Sequence, residues 1–265
     1  MEFKVKYPII QKLITSGTKR RSGAHIAKVK FVVAHDTGNP TSTARGNVQY
    51  YENTNNEDSA SAHLFVDDKE IIECIPVFSG PAEKAWHVLY NVTTDNRLYG
   101  ANANDAAIGV EYCYGGNINA DEAYNRYIWV LAYVCHLFEL DPATSIVGHF
   151  FLDPQRKTDP VTGLAKSRRT YDQLLKDVVT EYNECIGHPL AEPIFQPEAG
   201  EAISTVKLNI RKGMPNAKVE IVRTVLSGTK LKYIGWVRDG QTVNGNSKWF
   251  KDEEGNFFWS GGVAV

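Results

Sequence analysis

The chain has 265 residues, 43% of them hydrophobic, and a formal net charge of −2 with a pI near 6.4. That composition can bury a real core, and it excludes a disordered chain and a general nucleic-acid footprint. The length suits one large domain, or a main domain with a small one beside it.

The N-terminal stretch MEFKVKYPIIQKLITSGTKRR has neither a long apolar core nor a small-residue cleavage site, so no signal peptide is read there. No 18-residue apolar run occurs anywhere, so no membrane span is expected. The first strong element is the apolar run FVVAH (31–35), predicted as a buried strand, followed by the turn-rich HDTGNPTSTARG. A short helix is predicted around 48–51. Segments 62–67 and 70–76 read as a hairpin across Asp68-Lys69, 79–106 as mostly loop, and 107–115 as another strand.

Two helices stand out. From 121 to 140 the apolar positions Tyr124, Ile128, Leu131, Cys135 and Phe138 form one face, with Asn119 and Glu122 as a capping-box-like start. A second begins at Thr170 with Gln173 three later, and its stripe is Leu174, Leu175, Val178, Tyr182 and Cys185. A strand at 145–148 lies between them. This mixture predicts an α/β domain, a sheet covered by helices, over 1–186. A Pro/Gly-rich linker is expected at 187–201, and short alternating strands at 202–265 suggest a small all-β barrel or sandwich. From Gly200 on there are ten Lys/Arg and six Asp/Glu, a net of +4 beside −6 for the rest, which suits tethering to an anionic polymer. Cys74, Cys113, Cys135 and Cys185 form no C-x-x-C pair and read as buried free thiols.

The chemistry concentrates in a few places. His35 and His149 end two predicted strands, and Asp159 lies ten residues after His149 in RKTDP. A catalytic zinc takes three such ligands, and strand ends of an open sheet are where sites form. Glu111 lies inside the apolar strand GVEYC, where a carboxylate is costly unless paired or functional. Spacing alone leaves the alternatives open: structural histidines, a turn aspartate, a glutamate on an edge strand.

Five motifs in order narrow them. VVAHDTGNP, SAHLFVDD, KAWHV, IGVEYCYGG and GH…RKTDP make residues 5–185 resemble the type-2 N-acetylmuramoyl-L-alanine amidases, a family that includes phage endolysins, muropeptide-recycling amidases and peptidoglycan recognition proteins. The resemblance implies a mixed central sheet flanked by helices. It implies zinc as cofactor, with His35, His149 and Asp159 as its ligands. By the same likeness Glu111 is the residue that activates water and Lys157 steadies the developing oxyanion. His63, Trp86 and His87 match positions around the substrate cleft, and Arg156 is expected there too. Some phage members carry a tyrosine where this chain has Ala62, so the proton transfer is expected to fall on Glu111.

LNIRKG, GTKL and a Trp-bearing strand make the C-terminal segment similar to bacterial SH3-like modules, which implies wall binding. Trp236, Trp249 and Trp259 would either make that contact or fill the barrel core. The implied function is hydrolysis of the bond between N-acetylmuramic acid and L-alanine in bacterial peptidoglycan. The expected setting is the cell wall, reached through a holin or other route, with a monomeric protein and no nucleic-acid partner. A non-catalytic peptidoglycan-binding protein, a soluble-muropeptide amidase and a wall endopeptidase are the competing readings.

Overall fold

The computed structural model describes residues 3–187, 194–217 and 219–265. The chain divides into two compact units, Met1–Leu190 and Ala191–Val265. No helix among the described residues is long and apolar enough to cross a membrane.

The first unit runs β1 (Ile9–Gln11), β2 (Phe31–Asp36), α1 (Ala44–Asn53), β3 (Leu64–Val66), β4 (Ile71–Glu73), α2 (Thr94–Tyr99), α3 (Ala103–Ala106), β5 (Ala107–Tyr112), α4 (Ala120–Leu137), β6 (Ile146–Gly148), α5 (His149–Leu152), α6 (Val161–Lys166) and α7 (Tyr171–Cys185). Its six strands lie in the order β1-β4-β3-β5-β2-β6. Only β3 and β4 are antiparallel; the β2–β5, β2–β6, β3–β5 and β1–β4 pairs are parallel. β2 is buried along its whole length, as suits a strand flanked on both edges and covered on both faces.

The two-residue period of the strands divides the core. Val32, Ala34, Ile108 and Val110 face one way, onto Ile128, Leu131 and Cys135 of α4 and Leu174 and Val178 of α7. Phe31, Val33 and Ala107 face the other way, onto Val88, Val92 and Ala103. His35 and Glu111 share the parity of this second set, so they emerge on the sheet face away from α4. Both long helices start as their sequences predict: Asn119 Oδ1 accepts from the N–H groups of Asp121 and Glu122, and Thr170 Oγ1 accepts from Gln173 N–H. All four cysteines are buried and free.

The structure departs from the sequence reading in three places. α1 begins at Ala44, four residues earlier than predicted, because Thr43 caps it by accepting from Gly46 N–H. The stretch expected to be loop at 79–106 contains α2 and α3. Residues 196–201, expected within the linker, are the first part of a strand that pairs with a neighbour. Of the expected linker, 188–193 lie outside the described residues.

Glu73 shows how the loop after β4 is fixed. It is fully buried, and its Oε1 accepts from the N–H groups of Val77 (2.6 Å), Phe78 (2.7 Å) and Ser79 (3.0 Å) and from Ser79 Oγ (3.0 Å). Glu73→Ala leaves three N–H donors, one buried and two part-buried, without their acceptor at about 1 kcal/mol each, so a loss on the order of 3 kcal/mol is expected. Thermal unfolding should register it as a fall of roughly 10 °C in Tm.

The second unit is all-β: β7 (Gln196–Ser204), β8 (Leu208–Arg211), β9 (Ile221–Val225), β10 (Lys230–Val237), β11 (Trp249–Lys251), β12 (Phe257–Trp259) and β13 (Val263–Ala264), in the order β13-β7-β10-β11-β12-β8-β9. Every pairing in it is antiparallel. Leu208, Ile210, Leu231, Tyr233, Phe250 and Phe258 make its core. The three tryptophans separate: Trp249 is buried in a second small core, its Nε1–H bonded to Gln241 O, and Trp259 is half-buried. Trp236 is half-buried against the first of these cores, with Arg238 and Lys248 over its ring at 4.8 and 4.5 Å from the centroid.

Candidate metal centre

Parallel strands bring the C-terminal ends of β2 and β6 side by side, with Ala34 opposite Gly148. His35 is the next residue on β2, and His149 follows β6 as the first residue of α5. The chain then turns through the 153–158 loop and returns, anchored by Phe150 N–H to Asp159 O at 2.8 Å. That return delivers the Asp159 carboxylate between the two imidazoles. Its Oδ2 lies 2.8 Å from His35 Nδ1 and 3.1 Å from His149 Nδ1. The three candidate ligand atoms lie within 4.8 Å of one another.

Burial sets the protonation states. Desolvation drives His35 down to about 4, so its imidazole is neutral at pH 7, although Asp159 pulls the other way. Burial opposes ionisation of Asp159, but hydrogen bonds from His149 and His35 outweigh it and hold the carboxyl below the usual range. The cluster thus offers a neutral imidazole at His35 and a carboxylate at Asp159, the protonation a metal needs of such ligands, with the His149 ring beside them. Each Nδ1 can donate to Asp159 or offer its lone pair to a cation between them.

Glu111 stands in register with His35 on the neighbouring strand. Its Oε2 is sealed from solvent and has no hydrogen-bond partner among the described residues. Burial, then the charges of Asp159 and Asp36, push its pKa well above the carboxylate range; Lys157 works in the opposite sense. A cleft of about 400 Å³ opens over these groups. Its walls include Trp86, Arg156, Lys157, Tyr51, Ser61 and Thr162. Lys157 is exposed, and Arg156 is held at the rim by Asp153 through two contacts, at 2.7 and 3.1 Å.

The two remaining predicted histidines behave differently from one another. His87 is buried, lines the cleft floor and places Nδ1 3.0 Å from His35 Nε2. Its backbone is fixed by Asn104, whose Oδ1 accepts from the N–H groups of His87 and Val88. Gly109 makes room for it, since a Cβ there would lie 2.9 Å from the imidazole. His63 does not reach the cleft. It is fully buried, with Nδ1 accepting from Gly109 N–H and Nε2 donating to Glu83 O, so both nitrogens serve the backbone. Tyr51, Asp36 and Ser61 carry no local pattern that marks them as cleft residues; they arrive from α1, the end of β2 and the loop before β3.

His63 also supplies a pH test. Burial depresses it to about 4, so the unfolded chain binds a proton at a pH where the folded chain does not. Stability therefore falls as pH drops from 6.5 toward 4, by about 2 kcal/mol at pH 5 for this group. The metal-free protein should show it as a urea midpoint that declines below pH 6.5. Glu111 acts with opposite sign, so the difference between the parent and His63→Asn isolates the histidine's share.

Residues 26–162, just over half the chain, match the Amidase_2 family model, N-acetylmuramoyl-L-alanine amidase. The chain belongs to this family. The matched span holds His35, Glu111, His149 and Asp159. Among curated relatives, the N-acetylmuramoyl-L-alanine amidase BlyA of Bacillus subtilis (strain 168) is 33% identical over 162 residues, covering 57% of this chain and 42% of BlyA. The probable N-acetylmuramoyl-L-alanine amidase of Bacillus licheniformis is 31% identical over 150 residues, covering 54% of this chain and 40% of the relative. The chain spans less than half the length of these relatives. Among solved structures, the Staphylococcus aureus hydrolase AmiA, determined with its ligand, is 25% identical with a TM-score of 0.55, covering 69% of this chain and 88% of AmiA. PlyL is 26% identical with a TM-score of 0.51, covering 66% and 98%. The amidase fold accounts for the first unit.

Proposed function

We propose that this amidase-family chain is a zinc-dependent N-acetylmuramoyl-L-alanine amidase, cutting the amide between N-acetylmuramic acid and L-alanine in bacterial peptidoglycan. The observation that carries it is the meeting of His35, His149 and Asp159 at one point beneath an open cleft, with Glu111 beside them. The donor set fits zinc: two imidazoles and one carboxylate, three protein ligands rather than the four of a closed structural site. The unpartnered buried atoms at His149 Nε2, His87 Nε2 and Glu111 Oε2 mark a polar centre whose hydrogen bonding is unfinished within the protein.

When bound, zinc supplies Lewis acidity, polarising a carbonyl and acidifying water. The chain's residues do the rest. With the His35 proton on Nε2, His87 Nδ1 would accept it at 3.0 Å and leave His35 Nδ1 free to hold a metal. Glu111 takes a proton from the attacking water and returns it to the amide nitrogen as the carbon–nitrogen bond breaks, leaving a lactyl carboxylate and a free L-alanine amine. A cation at the ligand cluster offsets the repulsion from Asp159 and favours the ionised, proton-accepting Glu111. Lys157 presents positive charge to the oxygen on which negative charge develops. Trp86 offers an apolar face, and Arg156 a guanidinium, to sugar and stem peptide at the rim.

The second unit supports a wall-binding role and an SH3-like architecture. It carries the LNIR strand, is wholly antiparallel, and holds a half-buried Trp236 with two cations over its ring. Action at the cell wall, with release by a holin or comparable route, belongs to the same reading.

The test is digestion of purified peptidoglycan with and without a chelator. Free L-alanine amines without new reducing ends, lost on chelation and restored by zinc, are expected. New reducing ends, or cleavage indifferent to chelation, would overturn the proposal.

A further inference from the structure

Tyr51 occupies a position in the cleft that the mechanism above does not use. Ala44, Val48 and Tyr51 form one stripe of α1 against the sheet, and Tyr51 is the stripe's last member, where the helix reaches the cleft. Its ring stands edge-on to Phe65, with centroids 5.1 Å apart and planes at 79°. Phe65 is in register with Glu111, and Glu111 with His35. The phenol therefore flanks Glu111 on the side away from the ligand cluster.

Two features set it apart from an ordinary packed tyrosine. The residue is half-buried: its ring packs on the sheet, while its hydroxyl makes no hydrogen bond among the described residues and borders the cleft, free to meet a ligand there. The ring is also clamped. Arg20, 1% exposed, places its guanidinium carbon 4.5 Å from the ring centroid. That guanidinium cannot drift: Nε donates to Thr54 O and Oγ1 (3.2 and 3.1 Å), Nη2 to Thr54 Oγ1 (2.9 Å), and Nη1 to Ala60 O. One buried cation thus fixes both the 54–60 loop that borders the cleft and the aromatic ring beneath it. A cation over the ring draws electron density from it and strengthens the hydroxyl as a donor.

We propose that Tyr51 is a further catalytic residue, its hydroxyl donating a hydrogen bond to the substrate's amide group beside Glu111, with Arg20 as the residue that positions the ring. This rests on the amidase reading. Burial, then the Glu111 carboxylate, holds the phenol pKa well above its ordinary value, so the group remains O–H at working pH and acts as a donor.

Tyr51→Phe keeps the ring on Arg20 and Phe65 and removes only the hydroxyl. The zinc-loaded variant is expected to show kcat on purified peptidoglycan lowered 10- to 100-fold, with KM within about threefold of the parent. Zinc content and Tm should be unchanged. Arg20→Met should lower kcat in the parent but add nothing in the Tyr51→Phe background, measured where every variant is folded. A Tyr51→Phe rate within threefold of an active parent overturns this inference alone. A fall that tracks lost zinc or lowered Tm reduces Tyr51 to a packing residue and overturns it too. A parent that releases no amines overturns the amidase reading and this one with it.

Discussion

Glu111→Gln is expected to lower amide turnover about 10³-fold while the protein stays folded and keeps its metal. The magnitude follows from the role: loss of a positioned general base costs about 10²–10⁴ in rate. Glutamine matches glutamate in shape but cannot take the water proton. The stability expectation has an independent basis. Burial pushes the Glu111 carboxyl upward, so at pH 7 the folded protein bears the cost of confining an ionisable group that water would solvate. Glutamine removes that cost, and Tm of the metal-free variant should be equal to or above the parent's. Glu111 is also not one of the three clustered ligand groups, so zinc stoichiometry measured by atomic emission should not change. A rate within tenfold of the parent would remove Glu111 from the proton transfer. A metal-poor variant would mean that the carboxylate holds the ion rather than the water.

How much of this site was legible in sequence depended on whether a local pattern set each residue's surroundings. His35 and His149 sit at the ends of short apolar runs, and strand ends of a parallel sheet lie together, so their meeting could be anticipated from two local patterns and one topological rule. The long helices announced themselves through Asn119 and Thr170 and through their apolar stripes. The His63–His87 distinction was not local. Both follow small or aromatic residues in similar motifs, yet one is consumed by Gly109 and Glu83 backbone groups and the other touches His35. Tyr51 and Arg20 were invisible for the same reason: a tyrosine on a short helix and an arginine in TKRR acquire meaning only when α1 docks on the sheet. Nor did composition reveal that 196–201 would be strand. Its proline and glycine read as linker, but Gly200 is needed where the Tyr233 side chain crosses the backbone, and Pro197 sits near the strand's start.

Asp159→Ala is expected to abolish measurable zinc binding at micromolar concentrations and turnover with it, whereas Asp159→Cys should retain the metal. Asp159 is the single group that both Nδ1 atoms face, and it alone brings negative charge to the cluster. Without it two imidazoles remain, too few donors for a catalytic zinc site. A thiolate restores the third donor and the charge, and its softness suits zinc at least as well as a carboxylate does. Unfolding separates these cases without any activity assay. A ligand present at about 1,000 times its Kd stabilises the folded state by about 4 kcal/mol, so zinc should raise Tm of the parent and of Asp159→Cys, and a chelator should reverse both shifts. Asp159→Ala should be indifferent to either. It should also unfold more readily than the metal-free parent, since both imidazoles lose the acceptor they share inside a buried site. If zinc still shifted Tm of Asp159→Ala, the ion would be held by some other set of groups, and the His35–His149–Asp159 centre would have to be abandoned.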